Sequence, residues 1–489
     1  MTSLVLAVSV VLLGSTILNV ALPEMSLAMT LTPAGQQWVL NSYTLTFAGF
    51  LLIAGTIGDR IGLTRTLLIG LAGFTAAAVL ASLPTSVGFV IAMRALMGVF
   101  AAAIMPTTLA IILRMYPPER RAGAIVVWAA ASGVSISAGP IAGGLMLSAG
   151  LWWGSVLALV AALALLAFVG SAAFVPRLPA SGTGELRFLP VLLSITGVGL
   201  LVLGLTNGQT DGWLSYTSLG SAGAGLILLV CLVGIEARRR DALVDVRLFG
   251  DRNFTVSVLA LSVAALVTFG AMYLLTFYLQ VARGFTPLQA GLLFLPMSAG
   301  LVFGAPVSRR LVVRFGTGPT ITIGLLLIGA AMVVVSIYST ATSVILLLVV
   351  FLALALGFSL VLSPGTTAAM ESVPPARVGA GSALLNTARQ IASALGIAIL
   401  GSILWSVYGS NVTPALSDLA SPARRTVRQS LSGALAVLHD HAGIIAAHDA
   451  FFTALHVTAL VAGGAALLCA VVVGVTVGVS GRSLKAAHN

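Results

Sequence analysis

Charge is scarce in this chain. Only 8% of its 489 residues are Asp, Glu, Lys or Arg, against roughly 25% in a soluble globular domain. With 59% hydrophobic residues and a mean hydropathy of +1.11, the chain has too little polar surface to cover a water-soluble fold. Soluble and disordered classes are both excluded. Lysine is nearly absent, since Lys485 is the one exception among 24 basic residues. No Gly-x-x-x-x-Gly-Lys-Ser/Thr stretch occurs, which disfavours an ATP-driven pump. The two cysteines, Cys231 and Cys469, lie far apart in apolar runs. They form neither a metal cluster nor an evident disulfide framework.

Long apolar runs are what the chain has in abundance. A bilayer core of about 30 Å needs roughly 20 apolar residues per helix. Fourteen segments fit, near 4–23, 36–58, 66–84, 87–112, 122–146, 151–175, 188–206, 216–236, 254–281, 288–308, 317–338, 342–366, 379–407 and 451–479. The first lacks a basic n-region and a small-residue cleavage site, so it reads as a helix of the mature protein and not as a signal peptide.

Basic residues set the orientation. With the N-terminus inside, 18 of them fall in cytoplasmic loops and the tail, and four fall outside, Arg283, Arg424, Arg425 and Arg428. Arg94 and Arg389 lie within helices. Both termini are therefore expected in the cytoplasm. The net charge of +11 lines the inner face and calls for no nucleic acid. Two loops are long. The inner one, 237–253, mixes both signs, and the outer one, 408–450, contains "ARRTVRQSLSGALAVL" at amphipathic helical spacing. A surface helix resting on the membrane or its neighbours is the simpler reading, and a gate or docking element is the alternative. Trp152 and Trp153 stand at the outer end of the sixth segment, where interfacial anchoring is expected.

Between the second and third segments stands "GTIGDRIGLTR", residues 55–65. Gly55 is expected to let its helix approach a neighbour, Asp59, Arg60 and Arg65 to pair at the helix ends, and Gly62 to permit a tight turn. The fourth segment carries "RALMGVFAAAIMP" with Arg94, and the fifth carries "SISAGPIAGG" with Gly139, Pro140, Gly143 and Gly144. Two later stretches, "FYLQVARGFTPLQAGLLFLP" (277–296) and "GAGSALLNTARQIASALGIAILGS" (379–402), complete the set. Together these resemble the major facilitator superfamily, in its fourteen-helix drug:proton antiporter branch. Leu63 and Thr64 depart from the usual basic pair of the first motif, and Met97 replaces a common Gln in the second.

The resemblance implies an all-α integral membrane protein with the major facilitator fold. Its parts would be a six-helix bundle (1–175), two inserted helices with a cytoplasmic loop (176–253) and a second six-helix bundle (254–489). It implies export of drugs or other amphipathic small molecules across the plasma membrane by alternating access, in exchange for protons. It implies a monomer in the lipid bilayer, with no metal and no cofactor beyond the proton gradient. Gating and coupling would then fall to Gly55, Asp59, Arg60, Gly62, Arg65, Arg94 and Glu24. Polar or aromatic residues on apolar walls supply the cavity candidates: Asn19, Trp38, Asn41, Tyr43 and Met105 in the first half, and Tyr273, Phe277, Gln280, Asn386, Arg389 and Gln390 in the second.

The acids are sparse where such chemistry needs one. None of the 13 sits mid-helix; the nearest are Glu24, Asp59 and Glu371. Related antiporters commonly carry Asp where Gly14 stands, and some carry Asp where Asn41 stands. The deep charges left are Arg94 and Arg389. This points to neutral or weakly anionic amphipathic cargo rather than dications, with proton coupling through Asp59 or Glu24 and Arg94. On that reading an Asp at position 14 should raise cation export. A dedicated exporter of one antibiotic or metabolite is the alternative, and a polytopic membrane enzyme a remoter one. The histidines of "HDHAGIIAAH" (439–448) are suggestive in spacing but lack the acid or Cys of a catalytic zinc.

Overall fold

A bilayer offers no water to unpaired backbone groups, so a chain this apolar can cross it only as helices or a closed barrel. The computed structural model describes residues 1–83, 86–178, 180, 187–239, 246–374, 378–412 and 421–478, and they contain no strand. The first half comprises α1 (Thr2–Met29), α2 (Pro33–Ile61), α3 (Leu63–Ala81), α4 (Val87–Met115), α5 (Pro118–Ser148) and α6 (Ser155–Phe174). Next come α7 (Phe188–Asp211) and α8 (Tyr216–Ala237). The second half has α9 (Arg252–Phe277), continued by a π turn (Tyr278–Ala282), then α10 (Pro287–Leu293) and α11 (Leu295–Phe315). It ends with α12 (Thr317–Val335), α13 (Val344–Glu371), α14 (Val378–Asn411), α15 (Ser421–Gln429), α16 (Leu431–Val437) and α17 (His441–Gly478). With α10 and α11 taken as one span, 13 helices are long and apolar enough to cross a membrane. The 29-residue α2 is the fourteenth long helix.

The halves repeat one packing pattern. In the first, α1 packs on α5 and α6, α2 on α4, and α3 on α4 and α6. In the second, α9 packs on α14 and α17, the α10–α11 span on α13, and α12 on α13 and α17. Each half is thus a six-helix bundle. The bundles meet along two seams, α2 against α14 and α5 against α10–α11. Small residues permit these approaches, because lipid tails provide no hydrophobic drive between helices. The inserted α7 lies across α2 and α14, while α8 packs on α7 and shows lipid-facing Leu226, Ile227 and Val230.

Met1 and the α2–α3 turn lie on one face of the molecule. That face carries Arg60, Arg65, Arg114, Arg309, Arg310 and Arg314 and is the basic face. Gly62 makes the turn there in a single residue, at φ 94°, a conformation that glycine adopts freely. Also on this face, Arg187 meets the buried Glu236 at 3.6 Å, clamping α7 to α8. Asp251 caps α9 by accepting from Phe254 N at 2.9 Å. That bond holds its carboxyl below the usual carboxylate range, so the cap is intact at neutral pH and fails only as pH falls through the lowered value.

Three expectations change. The 408–450 loop is largely helical among its described residues, and α17 begins at His441 rather than near 451. Its amphipathic stretch is two helices, because the Ser430 side chain accepts from Gly433 N at 3.0 Å and starts α16. Trp153 is not an interfacial anchor. It is buried in the core, and only Trp152 reaches the surface.

Candidate functional site

Arg94 is the most deeply placed charge. It is fully buried, and its Nη1 donates to Gly14 O at 2.8 Å and its Nε to Val39 O at 3.2 Å. The guanidinium lies 4.5 Å from the Tyr43 ring centroid, and the Tyr43 hydroxyl donates to Val11 O at 2.8 Å. One α4 side chain therefore ties α1 to α2. Its Nη2 has no partner, and among the described residues no carboxylate is in ion-pair contact with it. A side chain added at Gly14 would meet Phe74 Cζ at 3.2 Å and Val160 Cγ1 at 3.5 Å. An acid at 14 would thus sit inside the first bundle, not between the bundles, and the expectation that it would supply a cavity counter-charge is corrected.

The cross-bundle hydrogen bonds gather on the half of the seams away from the basic face. Within the second bundle Trp405 Nε1 donates to the Tyr273 hydroxyl at 2.9 Å, and that hydroxyl crosses to the first by donating to Gln36 Oε1 at 3.1 Å. Gln280 Nε2 donates to Val20 O at 2.9 Å, and Leu288 N to Ser148 Oγ at 3.0 Å. Deeper in, the Thr387 hydroxyl donates to Ala48 O at 3.0 Å. Phe277 stacks edge-on to Tyr273 and Trp405, with centroids 5.1 and 5.3 Å apart. Each of these partners is neutral.

Glycines close the other seam. A Cβ built on Gly144 would overlap the Pro287 carbonyl and lie 2.9 Å from Leu288 Cα, and one on Gly291 would lie 2.5 Å from Pro140 O. Gly139 and Gly143 face α1 instead, where a Cβ would come within 3.0 Å of Ile17 N and 3.1 Å of Ile17 O respectively. The four-residue motif on α5 therefore serves two contacts, one within the bundle and one across. On the basic half the picture reverses. Gly55 is exposed with no atom within 4 Å of an added Cβ, so its expected close approach is not made. Arg60, Arg65, Arg309 and Arg310 are exposed. The Asp59 side chain lies outside the described residues.

The remaining candidates scatter. Trp38 packs with Leu45, Val198 and Val202 against α7. Asn41 is fully buried and its amide has no partner; Asn19 is also buried. Asn386 accepts from Arg389 Nη2 at 3.1 Å, and Arg389, Gln390, Met105 and Glu24 are partly exposed. Sequence reasoning missed Gln36, Trp405, Ser148, Gly291 and Thr387; the paired amides of "GQQW" in an apolar segment were the available signal. The histidine stretch contributes His448 to a cavity of about 450 Å³ with Tyr338, Asp449, Phe452 and His456. Among the described residues no His, Cys, Asp and Glu group could hold a metal.

Gln36→Leu is expected to loosen the clasp that the cross-bundle bonds of Gln36, Gln280 and Ser148 form. A hydrogen bond between membrane helices averages about 0.6 kcal/mol, so the open–closed equilibrium should shift roughly threefold. Tyr273→Phe, which also leaves Trp405 Nε1 unpaired, should shift it at least as far, and the double variant should do no more than Tyr273→Phe alone. Additive losses in transport rate would show that the two groups act apart.

Residues 4–397 match the family profile described as Major Facilitator Superfamily. This chain belongs to that family. Among its relatives within the superfamily, the multidrug resistance protein Stp of Mycobacterium tuberculosis is 30% identical over 86% of this chain and 79% of its own. The multidrug efflux pump LfrA of Mycolicibacterium smegmatis is 29% identical over 96% of this chain and 94% of its own. A bacterial homologue of the human lysosomal transporter Spinster, solved in an inward-facing and unoccupied conformation, superposes with a TM-score of 0.68. At 18% identity over 96% of each chain, that likeness speaks for the fold alone.

Proposed function

We propose that this protein is a carrier, not an enzyme, that exports drugs and other amphipathic small molecules from the cytoplasm in exchange for protons. The observation that supports this most is the lopsided seam. Neutral cross-bundle bonds close one half, and the glycine and arginines of the basic half stand exposed. Two bundles whose cross-bundle hydrogen bonds lie toward one end fit one state of an alternating-access cycle. The excess of basic residues supports a cytoplasmic basic face; on this reading the state is inward-open, the membrane is the plasma membrane and both termini are cytoplasmic. The two named relatives are a multidrug resistance protein and a multidrug efflux pump.

The parts of the chain act as residues 1–175, 176–253 and 254–489, in a monomer, with the proton gradient as energy source. Cargo binds between the bundles near Met105, Asn386, Arg389 and Gln390. With Arg389 beside the cargo and Arg94 enclosed in the first bundle, neutral or weakly anionic compounds suit the site better than dications. Asp59 or Glu24 carries the proton. Efflux of a fluorescent dye from a susceptible host tests the reading. Expression should lower dye retention, and a protonophore should erase the difference. Persistent efflux after the gradient has collapsed would refute proton coupling.

A further inference from the structure

The loop that follows α12 is held down by donors from two other elements. His456 Nε2 on α17 lies 2.7 Å from Tyr338 O, and because a carbonyl only accepts, that nitrogen carries the proton. At the end of α9, the Tyr278 hydroxyl donates to Ser339 O at 2.9 Å and Arg283 Nη1 to Thr342 O at 2.8 Å. Ser339 N and Ala341 N close on hydroxyls of the loop itself, at 2.8 and 3.2 Å. The loop is therefore a fixed wall. It stands against the start of α17, at the end of the molecule away from the basic face.

Between this wall and α17 lies the cavity of about 450 Å³, a size that suits a small-molecule ligand. Its lining mixes Ser339 and Thr340 of the loop with His448, Asp449 and Phe452 of the helix. Two buried polar atoms of lining residues have no hydrogen-bond partner among the described residues. They are His448 Nδ1 and the hydroxyl of Tyr338, a residue only 1% exposed. Buried polar atoms left unpaired are costly, and a ligand with donors and acceptors relieves that cost. Since His456 is already committed to the loop, His448 is the imidazole left for a ligand.

The groups follow an order along α17. His448 and Asp449 come first, Phe452 lies one turn further into the membrane, and exposed Val457, Leu460 and Val461 follow. Ile337 and Ile345, also exposed, extend that apolar surface on either side of the loop. A phospholipid presents its parts in the same order, charged headgroup, glycerol and then chains. We infer that the cavity holds the headgroup of a phospholipid that carries a primary ammonium. Asp449 takes the ammonium, and His448 with the hydroxyls of Ser339 and Thr340 donates to the phosphate. The chains lie on Ile337, Val457 and Leu460. A carboxylate beside a free imidazole suits a headgroup with both charges, whereas a simple amine or phosphate would use only half of the lining.

Native mass spectrometry of the purified, delipidated protein in mild detergent tests this without any transport. The probes are phosphatidylethanolamine, phosphatidylcholine and phosphatidylglycerol with identical chains, and dodecylamine. Phosphatidylethanolamine should be retained at least about fivefold more tightly than the other two lipids, because neither a trimethylammonium nor a glycerol can make charge-assisted N–H bonds to Asp449. Asp449→Asn keeps the shape of an exposed side chain and should erase that preference. Thr340→Trp, at an exposed position of the loop, should fill the cavity and erase it as well. Equal retention of the three lipids, a preference that survives either variant, or displacement of phosphatidylethanolamine by an equal concentration of dodecylamine overturns the inference.

Discussion

Gly144→Val is expected to stop export while leaving the protein in the membrane, with efflux falling at least about tenfold. The argument is steric and local. A Cβ at 144 meets the carbonyl of Pro287 and the Cα of Leu288, which are backbone atoms of a helix start and cannot rotate away. Overpacking of this kind costs about 1–3 kcal/mol, and a factor of ten in a conformational equilibrium needs only about 1.4 kcal/mol. Because the contact joins α5 to α10 across the bundles, the strain falls on the state closed at that face and not on the fold of either bundle. Gly291→Val should act alike, through Pro140 O. Gly55→Val provides the contrast in this state, since nothing lies within reach of its side chain, and closure of the face at Gly144 should be unaffected. Thiol labelling from the outer face reads the predicted shift. A Gly144→Val protein that transports normally would remove the α5–α10 seam from the gate.

Arg94→Met should also abolish export, and with little loss of thermal stability. Burying a guanidinium with only carbonyl partners is costly, and an apolar side chain of similar length is often neutral or better in such a place. Arg94 stands there fully buried, with Nη2 unpaired. What it provides is register. By holding Gly14 O and Val39 O it fixes α1 against α2, and these helices carry Val20 and Gln36 to the clasp. Arg94→Lys should fail nearly as badly, because one ammonium cannot reproduce a planar fork aimed at two helices. Efflux per folded molecule, set beside the melting temperature in detergent, distinguishes the roles. A large drop in melting temperature with transport per folded molecule unchanged would make Arg94 a packing residue.

The spans were legible because the bilayer permits little else. Helices of the needed length stand where apolar runs of about 20 residues lie between charges. The one-residue turn at Gly62 could be read from its motif for a similar reason, since few residues tolerate that backbone. Which way each helix faces could not be read. A span that is apolar all round carries no stripe to set its rotation, so Gly55 and Gly144 look alike in sequence although one faces open space and the other a backbone. The same ambiguity hid Gln36 and Trp405, whose roles depend on Tyr273, 237 and 132 positions away in the chain. Trp153 misled because aromatic residues at helix ends usually mark an interface, whereas here the ring turns inward. The absence of a mid-membrane acid was visible at once. Its meaning at position 14 needed the structure, which places that site inside a bundle.

Purified protein in liposomes, with a pH gradient imposed and no ATP present, puts the central claim to its most direct test. Drug should move against its own gradient in the direction opposite to the protons, reverse when the pH gradient is reversed, and stop when a protonophore is added. Drug movement that only equilibrates, at a rate indifferent to the sign of the pH gradient, would contradict proton-driven alternating access.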